Sequence, residues 1–214
     1  MITSPLETKM NMQSNEREVI EKELADTLVS AANTATLVSA ATLVMDASAN
    51  VVTPFHPLSD TWTLWAHLPH DTDWSIKSYK KILTFNTVEE AIAITRTIPE
   101  VLTTNCMLFL MRDGIKPMWE DAKNKNGGCF SYKITNKYVY QIWSELSYAL
   151  VGNTISTNPK FIENITGITI SPKKHFCIIK IWTSTCTFQQ PSIVTNEIKF
   201  FTPQGCLFKK HGEN

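Results

Sequence analysis

The chain predicts an α+β domain: one antiparallel sheet backed by helices, preceded by a segment of different composition. Three observations carry this. Short apolar–polar alternations of strand period recur from Thr61 onward, and longer runs of helical period interrupt them. The resulting order is strand, strand, helix, three times over, which fits a single sheet with helices to one side. Finally, 43% of the 214 residues are apolar, enough for a real core.

Residues 1–53 contain no aromatic side chain and carry a near-repeat: Thr27 to Ala31 and Thr36 to Ala40 both read Thr-Leu-Val-Ser-Ala, and Thr42 to Val44 begins it again. Such a composition predicts a low-complexity tail, disordered for the most part in isolation. Leu24, Leu28, Ala31 and Ala35 nevertheless fall at helical spacing, so a marginal helix can form against a partner. Pro54 and Pro57 mark entry into a folded body, dividing the chain into a tail over 1–53 and a domain over 54–214.

In that body Trp62, Leu64 and Ala66 alternate with Thr61, Thr63 and Trp65, a strand, and residues 79–85 read as a second. Thr87 with Glu90 forms a capping box, each side chain accepting an otherwise orphan amide N–H. The helix that starts at Val88 must stop before Pro99. Residues 106–111 make an apolar strand ending in the turn Arg112-Asp113-Gly114, and residues 130–135 make another. A helix over 137–151 places Tyr138, Ile142, Leu146, Ala149 and Leu150 on one face, with Gly152 as C-cap. Strands over 167–171 and 176–183 are hinged by Pro172-Lys173-Lys174, and a third helix is expected from Pro191 to about Phe200.

Charge and cysteine usage exclude several functions. The formal charge is zero, yet residues 1–50 hold three basic and seven acidic side chains, leaving 17 against 13 for the remainder. A mildly basic body suits a short phosphorylated ligand rather than a long duplex. The five cysteines form no close pair of the zinc type, and they read as reduced thiols. No signal peptide and no membrane-length apolar run are visible, so a soluble intracellular chain is expected. Neither a phosphate loop, a nucleophile elbow nor a metal-ligand spacing appears, so neither an enzyme nor a cofactor is expected.

Two of the six tryptophans are oddly placed. Trp74 follows a polar run, and Trp119 precedes Glu120-Asp121. Indoles beside turn formers serve a core badly but can clamp a flat ring, a base stacking for about 1–3 kcal/mol. Glu120 adds an acceptor-only carboxylate, which needs two convergent donors such as guanine N1–H and N2–H. Lys173, Lys174 and His175 form a basic hairpin tip able to neutralise phosphates, with Lys180, Lys209 and Lys210 as further candidates. Trp182 suits either the core or a wall of the base pocket.

The run from Asp113 to Gly128 resembles the signature segment of the mRNA cap-binding translation initiation factor 4E family. So do His56-Pro57-Leu58, Trp62 to Trp65, Phe85 to Glu90, Ile142 to Glu145 and Ile181 to Thr183, a likeness over about residues 54–200. The resemblance implies a curved antiparallel sheet backed on its convex side by three helices, with a 7-methylguanine held on the concave side. By position, Trp74 and Trp119 match the stacking pair, Glu120 the guanine-edge carboxylate, and Trp182 the indole beside the N7-methyl group. Lys173 stands where the family has a phosphate-binding arginine and His175 where it has a lysine. A second family lysine aligns with Ile178 and a further arginine with Cys129.

The resemblance also implies partners: capped mRNA, and a scaffold or repressor helix carrying Tyr, four residues, Leu and an apolar residue. His56, Pro57, Val88 and Glu145 match the family's docking surface, but its docking tryptophan aligns with Ile92 and two docking leucines with Ser144 and Tyr148. Altered scaffold binding is therefore expected, with the Leu24/Leu28 stripe folding onto this face or joining a dedicated partner. No membrane partner is implied, and the chain is expected to be a monomer outside its complex, cytoplasmic and also nuclear. Little chain remains after Gly205 for the family's long final loop and strand. High Ile, Thr, Asn and Lys content fits an AT-rich genome such as that of a protist or large DNA virus.

Overall fold

A computed structural model describes residues 19–20, 22–30, 33, 55–69, 71–195 and 197–213. The disordered-tail expectation falls mostly outside these residues. Within the segment, residues 22–30 form a helix (α1), whose Leu24 and Leu28 are buried in the main core.

Among the described residues seven strands form one sheet, with every pair antiparallel. In chain order they are β1 (Pro57–His67), β2 (Lys80–Thr87), β3 (Met107–Arg112), β4 (Gly128–Thr135), β5 (Ile165–Pro172), β6 (Phe176–Thr183) and β7 (Leu207–Lys210). Their order across the sheet is β2-β1-β3-β5-β6-β4-β7. Further α-helices are α2 (Val88–Thr97), α3 (Glu100–Asn105), α4 (Val139–Val151) and α5 (Pro159–Asn164), and short 3-10 turns join some of the elements.

Period-two alternation gives the sheet two unlike faces. Trp62, Leu64, Leu108, Leu110, Ile168, Ile170, Ile179 and Ile181 point into the core beneath Ile94 of α2 and Ile142, Trp143 and Leu146 of α4. The intervening residues Trp65, Phe109, Met111 and Trp182 form a separate small cluster on the opposite, open face. Trp65 therefore belongs to the open face, opposite Trp62 in the core.

The expected capping box is present. Glu90 N–H donates to Thr87 Oγ1 at 3.3 Å, and Thr87 N–H to Glu90 Oε2 at 3.2 Å. Gly152 is the C-cap of α4, but Asn153 takes the left-handed conformation, at φ 57°. The third helix is the main correction: after Pro191 only a single 3-10 turn forms, Pro191–Ile193. Tertiary partners take the backbone groups a helix would need. Thr195 N–H donates to Ile155 O at 2.8 Å, and Ser156 Oγ donates to Ile193 O at 2.6 Å. The short α3 and α5 were not foreseen. The final strand is also present after all, β7 pairing along β4.

Candidate functional site

The open face is built from β1, β3, β4, β5 and β6, with two loops rising from it. The first loop holds Trp74, whose side chain is 55% exposed. Aspartates shape it: Asp71 Oδ1 accepts from Asp73 N–H at 2.9 Å, and Asp73 Oδ1 and Oδ2 accept from Ser75 N–H and Oγ at 2.7 and 2.9 Å. These bonds from Ser75 hold the Asp73 carboxyl below its ordinary range. Behind the indole lies His67, only 2% exposed, its ring parallel at 4.3 Å and 5°. The imidazole nitrogens lie 3.1 Å from Leu68 O and 2.9 Å from Asp73 O, tying the ring to the loop it supports. One indole face is thus covered and the other is free.

The second loop holds Trp119, 48% exposed. Its organiser is the buried Asn124, whose Nδ2 donates to Lys116 O and Met118 O at 3.1 and 2.8 Å. Asp121 accepts from Lys116 N–H and Lys123 N–H at 3.1 and 2.9 Å. The loop leaves through Gly127 and Gly128 because there is no room for a side chain. A Cβ on Gly127 would sit 1.7 Å from Thr183 O, and one on Gly128 2.4 Å from Lys209 O. The chain end braces the same loop: the His211 ring contributes Nδ1 at 2.8 Å from Asn124 O, and His211 N–H donates to Gly127 O at 2.9 Å.

Glu120 is exposed and has no hydrogen-bond or ion-pair partner among the described residues. Its charge acts on Tyr79, whose phenol is pushed up by burial first and by Glu120 second. Tyr79 packs edge-on against His67 at 5.1 Å and Phe109 at 5.4 Å, so it joins the support of the Trp74 loop to the floor of the open face. Trp182 lies in the floor, 7% exposed, with His211 4.8 Å away. The structure therefore gathers Trp74, Trp119, Glu120 and Trp182 on one side of the sheet.

Lys173, Lys174 and His175 are exposed at the β5–β6 tip. Lys173 and Lys174 border a cavity of about 570 Å³ with His67, Trp74, Asn105 and Asn136. Arg112, by contrast, is spent on structure: it pairs with Asp60, donates to Ile165 O and Ile162 O at 2.8 and 3.0 Å, and lies 5.0 Å from the Trp62 ring.

The partner-face candidates lie on the other side of the molecule. His56 Nδ1 is 2.7 Å from Glu89 Oε1, a contact that lowers the Glu89 carboxyl. Pro57 opens β1. Val88, Ile92 and Tyr148 line an apolar cavity of about 350 Å³ with Leu58 and Val151. Ser144 Oγ donates to its own helix at Tyr140 O, 3.0 Å away, and Glu145 accepts from Gln141 at 2.8 Å.

Residues 57–202 match the family described as Eukaryotic initiation factor 4E. The chain belongs to that family. It is 34% identical over 137 residues to eukaryotic translation initiation factor 4E-2 of Schizosaccharomyces pombe, covering 61% of this chain and 55% of that protein. It is 35% identical over 140 residues to factor 4E-1 of Caenorhabditis elegans, covering 62% and 64%. The chain thus spans less than two thirds of these relatives' length. Among solved structures it resembles a schistosome eIF4E complexed with m7GpppG and 4E-BP, with TM-score 0.56, 27% identity and coverage of 62% and 74%. It also resembles the eIF4E-3 of Ascaris suum in complex with an m7G cap, with TM-score 0.57, 25% identity and coverage of 65% and 78%.

Three residues of this 4E-family site escaped sequence reasoning: His67, Tyr79 and His211. No role is expected of His67 from the sequence, and among the described residues no cluster could hold a metal ion. Its alternation with Trp65 was the available signal, since that places it on the open face. His211 had none, because β7 was not expected.

Proposed function

We propose that this chain binds the 7-methylguanosine cap of mRNA and acts in translation initiation. The observation that carries the reading is a pair of exposed loop tryptophans, each held by its own hydrogen-bonded turn, above a third indole in the sheet floor. Trp74 and Trp119 stack on the two faces of the base, and methylation at N7 supplies the positive charge that strengthens stacking on indole. Glu120 has unspent acceptors for N1–H and N2–H, while Trp182 walls the methyl side. Lys173 and Lys174 border the cavity beside Trp74, so cations lie within the same region of the open face. Solved relatives in complex with caps support the same assignment.

The test is tryptophan quenching with methylated and unmethylated cap dinucleotides. Saturable quenching by the methylated ligand, at least tenfold tighter than its unmethylated counterpart, is expected. Equal affinities would reject the reading, and absence of quenching would favour a protein-interaction module without cap binding. Activity is placed in the cytoplasm, with a nuclear pool as the finer expectation.

One observation favours a second role, a cap-binding factor diverted from ordinary scaffolds or acting as a repressor. The cavity at Ile92 occupies the face where the resemblance puts a docking helix. Tethering the protein to a reporter separates the roles: increased translation supports initiation, and silencing supports repression.

A further inference from the structure

The open face carries cations whose role the sequence left open, and strand register separates them. On β6, Ile179 and Ile181 enter the core. Lys180 therefore shares the open face with Ile178 and Trp182. Across the ladder its partners are Ser131 on β4 and Thr169 on β5. Lys209 is paired with Cys129, which is itself paired with Trp182, so it belongs to the same face. Lys210 does not. It is one residue out of phase, and it is paired with Glu213 at 3.3 Å.

Among the described residues neither Lys180 nor Lys209 has a carboxylate within ion-pair distance. Beside them lie buried polar atoms without partners. Thr169, 1% exposed, has an unbonded Oγ1, and the Trp182 indole N–H is likewise unbonded. A buried donor left unpaired keeps its full desolvation penalty. A ligand oxygen that accepted from them would recover part of this. His211 adjoins the group, its ring 4.8 Å from Trp182, and burial holds its pKa below the ordinary value, with the bond to Asn124 opposing and Lys180 adding to the lowering.

We propose that Lys180 and Lys209, with the Trp182 indole N–H and Thr169 Oγ1, form the anion site that grips the phosphate chain. The inference rests on the cap reading above. Distance along the strand favours this pair over the hairpin tip. Lys180 is two residues from Trp182, about 7 Å, whereas His175 is seven residues away, about 23 Å. Phosphates attached to a base at Trp182 reach Lys180 first.

The experiment compares 7-methyl-GMP, -GDP and -GTP binding to the full chain and to Lys180→Met, Lys209→Met and Lys173→Met/Lys174→Met variants. A tenfold or larger loss of the mono-to-triphosphate gain in each of the first two supports the proposal. The salt slope should fall by about one per lysine removed. Lys180→Arg should restore the gain, which a merely structural lysine would not require. An undiminished gain in Lys180→Met and Lys209→Met, with loss confined to the hairpin variant, overturns it. Inorganic tripolyphosphate, titrated by calorimetry, reports the anion site without a base. If no methylated guanine binds, the cap reading fails. Tripolyphosphate binding lost in Lys180→Met and Lys209→Met then upholds the anion site, and binding unchanged or absent rejects it.

Discussion

Trp74 presents one open face because the other is stacked on His67. Removing that backing frees the indole, and its ordering must then be supplied by the ligand. His67→Ala is expected to weaken cap binding by about 0.5–1.5 kcal/mol, the size of an aromatic pair, and His67→Phe to restore most of it. Equal affinities in all three proteins would show that the imidazole does not position Trp74. In the proposed complex Glu120 contributes differently, through acceptors that are desolvated only when the base arrives. Glu120→Ala should cost about 2–5 kcal/mol in cap affinity, read by the same quenching titration. A loss of a few tenths would remove Glu120 from the guanine edge.

At the scale of elements, β7 acts as a brace. It extends the sheet beyond β4 and delivers His211 to the Trp119 loop. The His211 pKa lies below its ordinary 6.5, chiefly through burial, then through Lys180, with the bond to Asn124 opposing. The unfolded chain therefore takes up this proton first as pH falls, and the folded state loses stability from about pH 6.5 downward. Melting temperature should drop between pH 7 and 5.5, and the drop should be shallower in His211→Gln. Parallel curves would mean that the ring is not buried as described. The same elements mark the reach of sequence reasoning. Strands β1 to β6, α2 and α4 were legible because each has a clear period or a cap. Helices α3 and α5, six residues each, are too short to show a period. The helix expected after Pro191 was lost because Ile155 and Ser156, distant in sequence, bind its backbone.

For the whole molecule, the sheet separates the tryptophan loops on one face from the Ile92 hollow on the other, so the proposed cap site and the proposed partner site do not share residues. Trp74, Trp119 and Glu120 stand out in the sequence by residue type and turn context, and Trp182 is assigned only through the family resemblance, whereas the contacts of His67 and His211 with these loops arise only in the fold. On the helix side, Ile92 leaves about 350 Å³ between α2 and α4, with Val88 and Tyr148 each 37% exposed at its border. A docking helix laid on this face meets a hollow where an indole would give an anchor, and aromatic anchors carry much of interface energy. The chain should therefore bind a peptide bearing Tyr, four residues, Leu and an apolar residue only weakly, and Ile92→Trp should tighten binding about tenfold. Cap affinity should not change, because the substitution lies across the sheet from the tryptophan loops. Calorimetry of both proteins with the peptide, and quenching with the cap, reads the two faces separately. Full-strength peptide binding by the unaltered chain, or no gain in Ile92→Trp, would mean that partner choice does not turn on this hollow.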